Sequence, residues 1–447
     1  MTIEYMLPLL MLAALILGIF SGYPVAFVLA GVGIIFSFLG DVPILFLSLT
    51  ISRIYSGILT NWLLIAIPLF VFMGLMLERS GVAERLLRSL SSLFRGFPGG
   101  YGFAVAIIGV VMAASTGIIG ASVVLMGMMA LPTMLANNYN KGLSSGLIAA
   151  SGTLGILIPP SIMLIVLGDQ LRVSVGDLFM AAMGPGILLG ALYLLVILLV
   201  AIFQPEKMPS EHSVSHEPVL SRIKTLVFDL AAPMALIGTV LGTIVAGVAT
   251  PTESAAIGAL GATLFALFGK RLSRKILSET FMQTTKTTAM IVFVMMGATV
   301  FSVVFRKLGG DAMIADAFHL DGAGPYYVLG MIMLLVFILG FFMEWVEIVL
   351  VVVPIVAPII AKLNFGIPPE QTLIWFAIAL SVNLQSSFLT PPFGYALFYL
   401  KGVSPPEVKM TDIYKGVIPF VLIQLMVLLG VLVFPQLALW LPNYLSS

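Results

Sequence analysis

Two stretches in opposite halves of the chain break in the same way. The first reads Thr153-Leu-Gly-Ile-Leu-Ile-Pro-Pro-Ser161, the second Gln385-Ser-Ser-Phe-Leu-Thr-Pro-Pro-Phe393. Each sets a Pro-Pro pair, Pro159-Pro160 or Pro391-Pro392, inside an apolar run long enough to cross a membrane. Proline has no backbone N–H and its ring clashes with the preceding turn, so a helix must open there. Opened backbone leaves carbonyls that hydrocarbon cannot satisfy. Such breaks survive only where protein or a wet cavity surrounds them. A matched pair of breaks in two halves is the sequence mark of a transporter's binding centre.

The membrane setting follows from polarity. Of 447 residues 60% are hydrophobic and 9% charged, against roughly 25% charged in a soluble domain. That leaves too little polar surface to clothe a soluble core. A helical span needs about 20 residues, which leaves room for roughly ten to a dozen full or partial crossings. The short period-two segments of an outer-membrane barrel are not seen, so the fold class is an all-α polytopic membrane protein. Basic residues are scattered among loops, which argues against nucleic acid as a partner and leaves lipid as the surrounding one. The absence of cysteine excludes disulfides and thiolate metal sites. The first Lys or Arg is Arg53, so a signal peptide's basic n-region is missing.

Residues 1–203 and 226–447 read as two repeats, joined by a polar segment 204–225 with two prolines. Positions match at an offset of about 230 residues: Gly22-Tyr-Pro24 with Thr250-Pro-Thr252, and Pro132 with Pro354. The loop with Arg79, Arg85, Arg88 and Arg95 matches one with Asp311, Asp316 and Asp321. Lys and Arg stay cytoplasmic. That rule puts the loop 79–97, the segment Lys270–Lys275 and the region of Lys401, Lys409 and Lys415 inside, and their counterparts outside. Matching loops on opposite sides define an inverted repeat, with the N-terminus periplasmic.

Tyr101–Leu135 is too long for one span and too short for two, and Ser115-Thr116-Gly117 and Gly120 interrupt it. A re-entrant hairpin over 101–135 is predicted, and a second over 325–362 with its tip near Gly340–Glu347. A broken helix follows each, over 143–168 and 373–400. Inversion would bring both tips and both breaks together near the midplane. The polar stretches Ser48–Ser56 and Gln283–Thr288 read as interfacial arms.

A sodium ion gives up water only for several oxygens, which unwound carbonyls and Ser, Thr, Asn or Gln side chains supply. At the first centre the candidates are Ser115, Thr116, Gly117 and Ser122 from the tip. Thr153, Gly155, Ile158 and Pro159 join them from the break, the last three by carbonyl. At the second they are Glu344, Glu347, Asn383, Gln385, Ser386, Ser387 and Thr390. The alternative for each hydroxyl is a bond to its own helix backbone. Carboxylates within a membrane are functional candidates by default, so Glu344 and Glu347 could neutralise a cation, relay a proton or sit at a solvated tip, and a cation or gating role is favoured over the solvated tip. Trp345 between them reads as packing. Glu253 in Thr250-Pro-Thr-Glu-Ser254 complements a helix dipole, with Thr252 as cap, or belongs to a site. His212, His216 and His319 form no metal constellation. No Walker sequence appears, which argues against an ATP site.

These residues together resemble the large membrane subunit of tripartite ATP-independent periplasmic (TRAP) transporters, over essentially the whole chain. The most specific pieces are Ala149-Ala-Ser-Gly-Thr-Leu-Gly-Ile-Leu-Ile-Pro-Pro-Ser161, Gly247-Val-Ala-Thr-Pro-Thr-Glu-Ser-Ala255 and Ser387-Phe-Leu-Thr-Pro-Pro-Phe-Gly394. The resemblance implies an elevator-type transporter in a bacterial inner membrane, driven by sodium (Na+) and membrane potential. Its implied partners are a small four-helix membrane subunit and a periplasmic substrate-binding protein that delivers an organic acid. It places the ions at the tips and breaks. The substrate is then expected beside them, against Thr116, Thr153, Pro160, Ser161, Ser387 and Pro392. The second tip, Met343-Glu-Trp-Val-Glu347, departs from the family's more usual single acidic residue with a proline or small residue.

Rival readings are a self-sufficient sodium/carboxylate symporter, an ion antiporter of similar architecture, and a channel. A membrane-embedded enzyme would have only Glu344 and Glu347 as a catalytic pair.

Overall fold

The structure is a computed structural model that describes residues 5–117, 119–210, 218–317 and 324–446. His212, His216, His319, Asp321 and residues 211–217 of the polar joining segment lie outside the described residues. Every element among the described residues is helical. Eight of these helices are at least 18 residues long and apolar enough to cross a membrane.

The first half runs Met6–Phe20, Val25–Leu39, Ile44–Ile54, Ala66–Arg79 and Val82–Leu93, then a helical hairpin Gly100–Thr116 and Ile119–Ala136. A broken helix, Lys141–Thr153 and Ile162–Leu171, and a long span, Val175–Phe203, complete it. The second half has the same sequence of hairpin, broken helix and span after fewer leading helices. Val219–Val245, Pro251–Phe268 and Arg274–Lys307 lead to a hairpin Pro325–Leu339 and Trp345–Ile360. The broken helix Pro369–Leu389 and Tyr395–Val403 and the span Met410–Val433 follow. Both Pro-Pro bonds, Pro159-Pro160 and Pro391-Pro392, are cis and lie at the breaks.

Contacts sort the loops onto two ends. At one end Arg79 pairs with Glu279 at 2.8 Å and Arg271 with Glu84 at 3.7 Å. The Lys141 ammonium donates to the Glu407 carbonyl at 3.2 Å, at the same end. At the other end Tyr5 donates to Asp316 at 2.5 Å, and Lys307 lies 4.6 Å over the Phe46 ring. The segments carrying Arg79–Arg95, Lys270–Lys275 and Lys401–Lys415 therefore share an end, and Tyr5 lies at the opposite one.

The halves exchange partners reciprocally. Val25–Leu39 packs along Arg274–Lys307, and Pro251–Phe268 along Ala66–Arg79. The helix carrying the first break meets the last long span at backbone distance. A Cβ on Gly416 would overlap the carbonyl of Gly142 and stand 2.9 Å from its Cα, and one on Gly146 would overlap Gly416 in turn. Small residues permit this approach, which supplies the dispersion that holds helices together where lipid is as apolar as leucine.

Three expectations are corrected in detail. The joining segment is not loop throughout: Met208 is fully buried, the Gly99 N–H donates to its carbonyl, and a helix already begins at Val219. One apolar side chain among polar neighbours sufficed to anchor it. Gln283–Thr288 is not a separate arm but lies inside the unbroken helix Arg274–Lys307, because no proline interrupts that run and its single glycine, Gly297, lies beyond the polar stretch. The cap of Pro251–Phe268 is Thr250, not Thr252. Its hydroxyl accepts from the Glu253 N–H at 3.3 Å, and the Glu253 carboxylate accepts from the Thr250 N–H at 2.8 Å. Proline fits the first helical position, which moves the cap one residue ahead of Pro251. Thr252 instead donates to the Trp62 carbonyl at 3.0 Å.

Candidate ion and substrate centre

Each hairpin tip is pressed against the break of its own half. Gly117 closes the first helix at φ +59°, a left-handed conformation that glycine alone adopts without strain. A Cβ there would meet the Ile162 nitrogen at 3.2 Å, just past the first Pro-Pro pair. At the second tip a Cβ on Gly340 would overlap the Ser387 hydroxyl. The breaks are partly answered by hydroxyls. Ser161 donates to the Ile156 carbonyl at 2.7 Å and Tyr414 to the Pro392 carbonyl at 2.5 Å. These bonds supply partners that lipid would not.

One side chain touches both tips. The Tyr399 ring lies 3.0 Å from where a Cβ of Gly120 would sit, and its hydroxyl donates to Glu344 at 3.3 Å. Tyr395 stacks edge-on against it at 5.3 Å. Glu344 caps the helix Trp345–Ile360, and its N–H donates to Glu347 at 3.2 Å. Both carboxylates are half-buried while Trp345 is buried, as a packing residue should be. Glu344, Glu347, Tyr395 and Tyr399 line a cavity of about 930 Å³, with Lys286 and Gln283 across it. The cavity lies toward the end that carries Arg79–Arg95, since Tyr23 and the stretch Gln283–Val294 of the helix Arg274–Lys307 border it, short of that helix's Lys307 end.

The sequence candidates fall around this cavity unevenly. Ser115 and Thr116 lie outside the residues whose side chains are described. Ser122 is buried in the returning arm of the first hairpin. Gly155, Ile158, Pro159 and Pro160 are buried at the first break, and Pro392 is exposed at the second. Thr153, Ser161 and Ser387 are wholly buried behind the cavity wall, while their neighbours Ile162 and Phe388 line it. Thr153, Ser386, Ser387 and Thr390 each give their proton to a carbonyl one turn back, at 2.8 to 2.9 Å. That is the helix-bonding geometry of hydroxyls, and it leaves oxygen lone pairs for a cation. Asn383 donates to the Met333 carbonyl at 2.8 Å and so ties the second break to the second hairpin.

Gln385 departs from the grouping read from the sequence. Its amide nitrogen lies 3.4 Å from the Thr153 hydroxyl and 3.4 Å from the Tyr193 hydroxyl, joining the two broken helices rather than serving the second tip alone. Gln424 donates to the same Tyr193 hydroxyl at 2.7 Å. Tyr193, Gln424, Tyr395 and Tyr399 escaped the sequence reading. The available signal was an isolated polar atom in an apolar run, and four-residue spacing for the tyrosine pair. Among the described residues no three His, Cys, Asp or Glu side chains cluster for a metal.

The sequence profile described as "Tripartite ATP-independent periplasmic transporter, DctM component" matches residues 11–437. A C4-dicarboxylate TRAP transporter large permease protein of Pseudomonas aeruginosa is 33% identical, covering 86% of this chain and 87% of its own length. A sialic acid TRAP transporter large permease protein of Vibrio cholerae is 29% identical, covering 95% and 96%. Among solved structures the YdaH transporter of Alcanivorax borkumensis superposes with a TM-score of 0.58 at 17% identity, covering 89% of each chain. That likeness bears on the fold alone.

Proposed function

The chain belongs to the TRAP transporter family as its DctM component, a large permease and not an enzyme, and from that premise we propose a sodium-coupled importer of small organic acids. The substrate, a carboxylate, is handed over by a periplasmic binding protein, and a small four-helix membrane subunit completes the complex in a bacterial inner membrane. The relatives' names support the substrate class, since one takes C4-dicarboxylates and another sialic acid. The end carrying Arg79–Arg95 is read as cytoplasmic, which makes the N-terminus periplasmic.

The observation that carries this reading is the meeting of both tips and both breaks around one 930 Å³ cavity, with Tyr399 touching each tip. Hydroxyl oxygens and freed carbonyls at each break supply hard ligands for sodium. Once bound, the cations offset the Glu344 and Glu347 carboxylates, so that an anionic substrate is no longer repelled. Lys286 adds a positive charge on the facing wall. The mobile unit would hold both hairpins and both broken helices and slide against the reciprocally packed helices Val25–Leu39, Ala66–Arg79, Pro251–Phe268 and Arg274–Lys307, carrying the centre from one face to the other.

The test is uptake of radiolabelled organic acids into proteoliposomes holding this chain with its small subunit, with and without the cognate binding protein and a sodium gradient. Dependence on both is expected. Uptake without the binding protein would make the chain a self-sufficient symporter, and uptake indifferent to sodium would refute the coupling. Because the chain has no cysteine, thiols introduced at Ala121 and Thr287 are unique. A reducible cross-linker spanning the cavity between them should arrest uptake until reduced. Undiminished uptake in the bridged protein would refute the elevator motion.

A further inference from the structure

A second cavity, of about 730 Å³, lies at the end opposite the basic loops, and its charge is inverted relative to the first. Three guanidinium groups, Arg53, Arg172 and Arg306, line it against one carboxylate, Asp169. The first cavity has two carboxylates and one ammonium. The carboxylate in the second is already served by amides. Asn61 donates to one Asp169 oxygen at 2.6 Å and Gln170 to the other at 2.9 Å. Arg306 is engaged too, with the Pro354 carbonyl at 2.5 Å and with Asp311 at 3.7 Å. Arg172 faces the Asp169 charge without a direct hydrogen bond or close ion pair, and the Arg53 side chain makes neither among the described residues.

Arg172 is also held in an unusual backbone state. It ends the helix Ile162–Leu171 at φ +55°, where glycine would be the unstrained choice. A bulky residue kept in a left-handed position is a place to look for function. Exposed guanidinium groups gathered in a concave wall favour planar anions, because the donor fork matches a carboxylate. A field of one sign inside a cleft also raises the local concentration of the opposite ion.

We propose that this second cavity is a capture vestibule for small carboxylates, in which Arg53 and Arg172 take the anion before it passes to the centre between the tips. The proposal rests on the reading of the chain as a carrier of organic anions, and it adds a second, unselective site remote from Glu344. The vestibule holds its ligand loosely, with a dissociation constant on the order of 1 mM, since tight capture would oppose onward passage.

The test is arginine labelling by phenylglyoxal of the chain and its small subunit in membranes, read by peptide mass spectrometry. Succinate and lactate are the probes, each at roughly ten times that constant, with sodium chloride at equal ionic strength as control. Labelling of Arg53 and Arg172 should slow by about tenfold in the carboxylates. It should not slow in chloride, and Arg88, exposed at the other end and paired with Glu84, should be unaffected. No protection, or equal protection by chloride, would overturn the site.

In the proteoliposome assay, Arg53→Gln and Arg172→Gln should raise the KM for the carboxylate by about tenfold with the sodium half-saturation unchanged. Unchanged KM in both variants would also overturn the proposal. The two readings fail separately. Wild-type chain that takes up nothing but shows protected arginines loses the transport reading and keeps the site. Sodium-driven uptake with unprotected arginines does the reverse.

Discussion

Gly416→Ala should loosen the protein by forcing two helix backbones apart. The added methyl would stand 2.9 Å from the Gly142 Cα and nearer still to that residue's carbonyl. Ordinary carbon–carbon contact is about 3.5–4.0 Å, so the helices Lys141–Thr153 and Met410–Val433 must part by at least ~1 Å. Both contacting groups are backbone, so no side chain can swing aside. A gap of that size forfeits roughly a quarter to a half of the dispersion between facing atoms. Overpacking of this kind typically costs about 1–3 kcal/mol and occasionally more. Alanine's better helix propensity returns about 1 kcal/mol, so a net loss of roughly 2 kcal/mol is expected. The readout is thermal unfolding in detergent, beside Gly402→Ala, whose Cβ would meet open space. The same displacement carries Gln424 and Tyr414 away from Tyr193 and Pro392, so uptake should fall as well. Equal unfolding temperatures for the two variants would refute the close approach.

Glu344→Gln should raise the sodium concentration for half-maximal uptake by about tenfold, the equivalent of roughly 1.4 kcal/mol. An unchanged titration would make Glu344 a structural cap only. Tyr193→Phe removes the acceptor for Gln424 and one of two for Gln385 and leaves the buried Gln424 amide unpaired, at about 1–3 kcal/mol. Retained stability would show that the amide finds another partner. Thr250→Val should cost about 1 kcal/mol through the lost cap while leaving the KM for substrate unchanged, and a shifted KM would place Thr250 in a site. Ser115→Leu and Thr116→Leu should abolish sodium-coupled uptake with expression intact, and wild-type sodium dependence in both would remove the first ion site from the tip.

How far the site was legible differs residue by residue. The Pro-Pro pairs announced both breaks, and Ser115-Thr116-Gly117 and Gly340–Glu347 announced the turns between hairpin arms, because each acts through its own backbone. Met208 was hidden within a polar segment, since one buried methionine leaves no periodic trace. Tyr399 was passed over for the same reason that Gln385 was misgrouped. Nothing within either break says which distant segment its side chains will meet.

By itself the sequence determined the solvent and the local geometry. Apolar runs about 20 residues long partition into hydrocarbon, and proline opens a helix wherever it falls within one. Both are short-range effects, so they can be read a segment at a time. Only the tertiary structure decided that Gln385 reaches Thr153, that Tyr399 spans Gly120 and Glu344, and that the side-chain hydrogen bonds to Asp169 come from the Asn61 and Gln170 amides. Those pairings join segments far apart in the chain. They depend on how closely backbones approach, which glycines such as Gly416 permit but do not name.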